Sequence, residues 1–599
     1  MNAPLKTVPS ADLPVWSLED LYAGREDPRI EADLAAAGGR MKDIARLEGM
    51  FIAARADAPA LGRLIDEAAR LSEAAANLTW ALGAYTQLGA ATARDEPAWG
   101  RFETDLQTRI SGLSSAAVFL PLELNALEGP EIEAALAAFP AAERWRPWLR
   151  RIRAGRPHEL SADLERLLLD RAPATANWVR LYDETLGRLT TEVDGERLTL
   201  PEALNRLSDP SPDRRRGAAQ GLSVALGERA DLLGLCLNTV VFEKQVEDRW
   251  RRFADPAASR HLANEVDAEA VNALETAVVG AYVSLSHRYY VLKARVLGRD
   301  RLDHWDRNAP LFEAASRIYD WREARGIVLD SFADLAPPLA DRAAVFFQQP
   351  WVDARPRPGK QSGAFSHPVT APRHPYVFLN YMGERRDVLT LAHELGHAVH
   401  QTLAAPNGTL LASTPLTLAE TASIFAEGLV FERLLREARG EDRKALIAGR
   451  IEDSLNTVTR QIAFHRFETK FHAARQAGEL SREAIETTWL ETMSESLGPA
   501  ITLNPGYETY WAYVSHFVHA PFYVYAYAFG HLLVEALMSV RRRDPAGFAP
   551  LYEGLLAGGG TRTYVEALAP FGLDPRDADF WRLGLSRLEA LADEFETLI

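Results

Sequence analysis

The stretch Asp387-Val-Leu-Thr-Leu-Ala-His393-Glu394-Leu-Gly-His397-Ala-Val-His400 decides how the rest of this 599-residue chain is read. Asp387 is the expected N-cap, and the residues after it are helix formers. On a helix, His393 and His397 stand one turn apart on the same face, with Cβ atoms about 5–6 Å apart. Two imidazoles at that separation converge on one zinc ion with bonds of about 2.0–2.1 Å. Glu394 is rotated by about 100° from His393. That is too far round for a third ligand, yet within reach of a water in the open fourth position, where a general base is needed. With 14 histidines in 599 positions, chance matches to His-Glu-x-x-His are expected on the order of a few hundredths. The neighbours Leu389, Leu391, Ala392, Leu395, Ala398 and Val399 predict burial. Two histidines and a glutamate on a buried helix are costly unless paired or metal-bound.

Zinc needs a third protein ligand. A second helix is expected over Thr417-Leu-Ala-Glu420-Thr-Ala-Ser423-Ile-Phe-Ala-Glu427-Gly, started by Thr414-Pro415. Glu420, Ser423 and Glu427 fall at i, i+3 and i+7, a polar stripe among Ala, Ile, Phe and Leu. Glu420 is taken as the third ligand, and Glu427, with Ser423 beside it, as a group orienting the ligands from behind.

Thr390 to His400, followed by Ala419-Glu420-Thr-Ala-Ser-Ile-Phe-Ala-Glu427, resembles the M3 metallopeptidases. The nearest branch is oligoendopeptidase F, related to thimet oligopeptidase and neurolysin. Gly363-Ala364-Phe365-Ser366, Asn380-Tyr381 and Pro521-Phe-Tyr-Val-Tyr-Ala-Tyr-Ala-Phe-Gly530 resemble that branch too. The resemblance implies a mainly α, two-lobed helical ellipsoid with a deep substrate channel and a small β element beside the active site. It implies one Zn2+ per chain, with His393, His397 and Glu420 as ligands, Glu394 as base and short, unstructured oligopeptides as substrates. A histidine and tyrosines near the C-terminus would polarise the substrate carbonyl; here His516, Tyr523 and Tyr527 are chosen. In an unbroken helix these three fall within about 20° of one another. Pro521 interrupts such a helix, which leaves a loop position open for His516. Two alternatives to an endopeptidase stand beside it: a zinc carboxypeptidase on a similar helical scaffold, and an inactive peptide-binding relative.

Outward from this centre, Phe346–Gly383 contains Pro350, Pro356, Pro358, Gly363, Pro368, Pro372 and Pro375, which predicts a non-helical zone. Gly363–Ser366 and Tyr376–Leu379 are expected strands in it, and Gly363, Ala364 and Phe365 an edge for substrate. Thr-Thr-Glu-Val and Glu-Arg-Leu-Thr-Leu around Asp194-Gly195 predict a hairpin with a type I′ turn. Residues 30–150 are Ala, Leu, Glu and Arg rich with helical periodicity, expected to break at Gly38-Gly39, Gly62 and Gly129-Pro130. Ala520–Leu537 is expected to be a buried helix. A boundary near residue 205 separates a helical region, 1–204, from the peptidase-like region, 205–599.

Composition excludes several classes. Against 67 lysines and arginines stand 83 acidic residues, a net charge of −16, so no basic footprint for nucleic acid is present. The one cysteine, Cys236, excludes an internal disulfide and a thiolate metal cluster. Met1–Glu19 lacks a signal-peptide core and no 18-residue apolar run occurs, so a cytoplasmic protein without a membrane partner is expected. Gly558-Gly-Gly560-Thr lacks the Gly-Lys-Ser/Thr of a phosphate loop and is expected to lead into the next helix.

Overall fold

The computed structural model describes residues 12–312 and 317–599; Met1 to Ala11, part of the segment scanned for a signal peptide, lies outside them. The described chain is predominantly helical, as expected. It forms two compact units, each discontinuous in sequence. One comprises the described residues of Met1–Arg156, Ser316–Leu434 and Val540–Leu573; the other comprises those of Pro157–Ala315, Leu435–Ser539 and Asp574–Ile599. The division at residue 205 is one of sequence resemblance and is kept as a proposal; by compactness the chain divides along other lines.

In the first unit the spine is a 35-residue helix, Ala58–Thr92. Against it pack Pro28–Ala45, Pro97–Ser114 and Gly129–Ala138. Two of the three glycine breaks expected here are not breaks. Pro28–Ala45 runs through Gly38-Gly39, and Ala58–Thr92 runs through Gly62. At Gly62 a Cβ would stand 2.5 Å from the Ala135 carbonyl oxygen and 2.6 Å from the Phe139 Cβ. The glycine serves a close helix–helix approach rather than a turn. Gly129-Pro130 does begin a helix.

The proline-rich zone of the same unit yields a three-stranded sheet in the order Val352–Asp353, Tyr376–Phe378, Phe365–His367. The first pair is parallel and the second antiparallel, with Ser366 opposite Val377. Phe346–Gln348 belongs to the end of a helix, Pro337–Gln348, so the zone starts slightly later than expected. Phe365 stacks on Phe378 at 4.7 Å between ring centres, which pins the register of the short edge strand.

The second unit contains the expected hairpin, Thr190–Val193 paired with Glu196–Thr199. Asp194 and Gly195 have φ of 54° and 81°, the left-handed pair that a type I′ turn requires. Cys236 is buried, and burial pushes its thiol up. The apolar run Ala520–Leu537 is helical from Tyr525 onward, in Tyr525–Arg543, and is buried there except at Ala526 and the exposed Tyr527. Its Glu535 is held by Arg450 at 2.6 Å and Arg587 at 2.5 Å, so no unpaired charge is left inside. Among the described residues no single helix is long and apolar enough to cross a membrane.

Candidate metal centre

The helix bearing the two histidines is Arg385–Ala404. Its cap is Glu384, not Asp387. Glu384 adopts extended backbone and Asp387 occupies the third helical position, accepting from the Glu384 N–H at 3.0 Å and the Met382 N–H at 2.8 Å. The two arginines after Glu384 extend the helix by almost a turn, and the acidic pair forms a reciprocal cap. Val388, Leu391, Ala392, Leu395, Ala398 and Val399 are buried. That face fixes the helix and turns His393, Glu394 and His397 toward one point. The histidine rings lie 4.9 Å apart, nearly perpendicular. One ligand atom from each of His393, Glu394 and His397 lies within 4.8 Å of the others.

Glu420 comes from a broken helix rather than the continuous one expected. Leu416–Ala419 ends at Glu420, whose ψ of −2° departs from the helix, and Thr421–Glu437 starts immediately after. The break keeps Glu420 beside the histidines. Its Oε2 stands 3.4 Å from His393 Nε2 and 3.4 Å from His397 Nε2. Two donor atoms each about 2.0–2.1 Å from a tetrahedral ion are about 3.3–3.4 Å apart. The separation and the donor set, two imidazoles and one carboxylate, therefore fit zinc. Ser423 donates to Glu420 Oε2 at 2.7 Å, and Glu427 accepts a close hydrogen bond from His393 Nδ1. With the proton on Nδ1, the Nε2 lone pair faces the centre.

The electrostatics are those of a concentrated acidic pocket. Burial opposes a charge on His393, but Glu427 above all, with Glu394 and Glu420, raises it to about 9. Burial would raise Glu420, yet His397, His393 and Ser423 hold it at about 2. Glu394, only 5% exposed, is pushed up by burial to about 7 despite the two histidines. From its ordinary 4.5 that rise amounts to about 3 kcal/mol against the charged form. A cation bound beside it would offset that cost.

One positioning residue escaped the sequence reading. At Gly396 a Cβ would stand 2.5 Å from the Ala422 carbonyl oxygen and 2.7 Å from the Ser423 Cα. Gly396 thus admits the backbone just after Glu420 to the histidine helix. A lone glycine within a strongly helical stretch was the available signal. Gly396→Ala is expected to destabilise by about 1–3 kcal/mol through overpacking, although helix propensity alone favours alanine by about 1 kcal/mol. Denaturant midpoint and bound zinc are the measurements; a stabilised variant with unchanged zinc affinity removes this role.

Gly363, Ala364 and Phe365 lead into and begin the sheet's edge strand, with Gly363 at φ 89°. Ser366 Oγ donates to Gln401 Oε1 at 2.9 Å, tying that strand to the histidine helix one turn beyond His397. A cavity of about 240 Å³ is lined by His397 with Trp80, Thr370, His400, Gln401 and Ala419.

His516, Tyr523 and Tyr527 belong to the second unit, and no common helix joins them. His516–His519 is a short helix, Phe522 turns the chain at φ 60°, and Tyr525–Arg543 follows. The proline that interrupts the helix makes this reversal. The three side chains nevertheless meet: His516 Nε2 is 3.1 Å from the Tyr527 hydroxyl, and the Tyr523 ring lies 6.2 Å from His516 and 5.4 Å from Tyr527. The Gly558–Gly560 segment is a close-packed turn, where a Cβ on Gly560 would stand 2.2 Å from the Ser413 carbonyl oxygen; Thr563 caps the next helix.

Among protein families, the profile described as Peptidase family M3 matches residues 338–586, which contain the whole centre, and that described as Oligopeptidase F matches residues 123–190. The chain belongs to peptidase family M3. Relatives of this M3 peptidase include the oligopeptidase PepF of Bacillus subtilis (strain 168), 24% identical over 557 residues, covering 90% of this chain and 82% of the relative. The oligoendopeptidase F homolog of Lactococcus lactis subsp. lactis (strain IL1403) is 28% identical over 351 residues, 58% of each chain. The M3 peptidase shares its fold with a Chlamydophila abortus protein of known structure, at a TM-score of 0.85 and 20% identity over 99% of this chain and 100% of that one. It also shares it with the oligoendopeptidase-F of Enterococcus faecium, at a TM-score of 0.70 and 18% identity over 95% and 98%.

Proposed function

We propose that this metalloendopeptidase hydrolyses short, unstructured oligopeptides with one zinc ion per chain, held by His393, His397 and Glu420, and with Glu394 as general base. The observation that carries the reading is the 3.4 Å spacing of the Glu420 carboxylate from both imidazoles, with Glu394 turned to the same point. Zinc bound there supplies Lewis acidity and makes water acidic enough to ionise near neutral pH. Glu394 takes a proton from the attacking water and passes it to the leaving amine. Glu427 fixes the tautomer and tilt of His393, and Ser423 orients Glu420. The Phe365–His367 edge offers backbone pairing to an extended peptide. His516, Tyr523 and Tyr527 keep the role the resemblance gives them, donors to the developing oxyanion, typically a few kcal/mol each. Their mutual contacts support action as a group.

The test is cleavage of an internally quenched oligopeptide with and without a chelator. Activity should vanish on chelation and return with added zinc, with products mapping to internal bonds. Undiminished cleavage in chelator, or stepwise loss of C-terminal residues, sinks the reading.

The pH dependence follows from Glu394. As a base it works deprotonated, so kcat/KM rises with pH through its pKa. Burial pushes its carboxyl up to about 7 and a bound cation draws it back down, so the acid limb should have its midpoint below about 7. Glu394→Asp should move that midpoint; an unmoved limb assigns it to another group.

A further inference from the structure

Beside the metal centre, within the same compact unit, lies the cavity of about 240 Å³ that His397 lines. Three neighbouring stretches of chain wall it. The histidine helix contributes His397, His400 and Gln401. Residues 368–373 follow directly on the edge strand Phe365–His367. The connection from the histidine helix to Glu420 contributes Ala412, Thr414 and Ala419, the last of them next to the carboxylate ligand. Trp80, from the long helix Ala58–Thr92, joins these and is 48% exposed. A tryptophan so exposed at a cavity is apolar surface that folding has left unburied.

The wall at residues 368–373 is held in an unfavourable shape. Val369 is buried with φ of 58°, a left-handed backbone that a β-branched residue resists, and such outliers persist only where their surroundings impose them. Its N–H donates to His367 Nδ1 at 3.1 Å, the Ala371 N–H donates to Thr409 Oγ1 at 3.0 Å, and the Arg373 N–H closes a turn on the Thr370 carbonyl at 2.9 Å. Most polar side chains of the lining are engaged as well: Thr414 with His400 at 3.1 Å, Gln401 with Ser366 at 2.9 Å, and Thr409 with Ala371. Thr370 is left out. It is only 4% exposed, it lines the cavity, and its hydroxyl is buried with no hydrogen-bond partner. A buried hydroxyl left unpaired is costly, and a ligand atom that reaches it removes the cost.

Size and lining narrow the occupant. An apolar cavity of about 150 Å³ holds a benzene ring, so about 240 Å³ suits one large side chain and not a run of residues. Trp80, Val369 and the alanines 371, 405, 412 and 419 give it apolar walls. No Asp or Glu lines it, so a cationic side chain finds no partner there. Arg373, which makes no ion pair among the described residues, and Trp80 both suit an aromatic ring, through cation–π contact and ring packing. A peptide paired along Phe365–His367 turns alternate side chains to one face, and that strand is tied to Gln401 of the cavity wall. We propose that this cavity is a specificity subsite for one aromatic side chain of the peptide, next to the bond cleaved, with Thr370 meeting the hydroxyl of a tyrosine. The assignment rests on the peptidase reading above, in which His397 is both a zinc ligand and a wall of the subsite.

Two measurements test this. In the first, peptides of one sequence carry Ala, Phe, Tyr, Glu or Lys in turn at each position, and their products are mapped by mass spectrometry. Cleavage should fall at a fixed place next to the aromatic residue, with kcat/KM about ten- to a hundredfold above the alanine peptide. Tyrosine should exceed phenylalanine by about two- to tenfold, the effect of one hydrogen bond, and lysine should be lowest. Ala412→Phe, which fills the cavity, should bring the aromatic-to-alanine ratio close to one, and Thr370→Val should do the same to the tyrosine-to-phenylalanine ratio. In the second, p-cresol, the tyrosine side chain without its backbone, is titrated into the full-length protein while thermal unfolding is followed. It should raise the Tm of the natural protein and leave that of Ala412→Phe unmoved. Cleavage indifferent to the aromatic residue overturns the subsite, as does an aromatic preference that survives both substitutions. A preference for glutamate overturns the assignment to aromatic rings and gives the cavity to carboxylates. No cleavage of any peptide, with a Tm response that Ala412→Phe abolishes, leaves the cavity standing as a site for aromatic rings and overturns the peptidase reading instead; no cleavage and no response overturns both. Because the peptide series uses the natural protein, a variant that fails to fold does not remove the test.

Discussion

Glu394→Gln should bind zinc as the natural protein does and cleave peptides about a thousandfold more slowly, with the loss in kcat. The glutamine preserves the shape of a side chain packed inside the Arg385–Ala404 helix, and so leaves His393 and His397 in place. It removes the one group positioned to carry a proton from water to amine, a function worth about 10²–10⁴-fold. It also relieves the burial that pushes the carboxyl up to about 7, so the variant should be no less stable than the natural protein. Elemental analysis after dialysis and single-turnover cleavage of a quenched peptide make the measurement. Turnover within tenfold of the natural protein would falsify the base assignment.

Glu420→Ala should instead lose the metal. The Glu420 carboxylate stands 3.4 Å from both imidazole nitrogens, and alanine leaves the two histidines of one helix turn with only Glu394 beside them. Zinc affinity should drop by well over a hundredfold, and cleavage with it. Glu427→Gln gives the contrast. It touches only the far nitrogen of His393 and should weaken zinc by about 10–100-fold, the usual effect of removing a group behind a ligand. Competition with a chromogenic chelator ranks the two. A Glu420 variant that holds zinc as firmly as the Glu427 variant would mean that another side chain closes the centre.

The chemistry of the centre was legible in a few residues because chemistry is set by type and spacing. His393 and His397 one turn apart, with Glu394 between them, state their geometry as soon as the segment is helical. Asp194-Gly195 was equally explicit, since both positions need left-handed backbone and few residues adopt it. Elsewhere the local signal misled. Gly62 resembled a turn and is a contact point between helices. Asp387 resembled a cap and is the partner of one. Glu420, Ser423 and Glu427 resembled a stripe on one helix, and their chain breaks at the first of them. At Gly62 and Glu420 a long-range packing contact outweighed a preference worth about 1 kcal/mol or less, and at Asp387 a second acidic residue three positions earlier took the cap.

The sequence by itself determined a mainly helical protein, the two imidazoles and the carboxylate between them, and the residue types gathered near the C-terminus. Only the tertiary structure decided which carboxylate from outside that helix meets them and how Gly396 admits it. Helical periodicity is a short-range property written every few residues. Bringing residue 420 to 393 depends on how whole helices pack, and no local spacing records that.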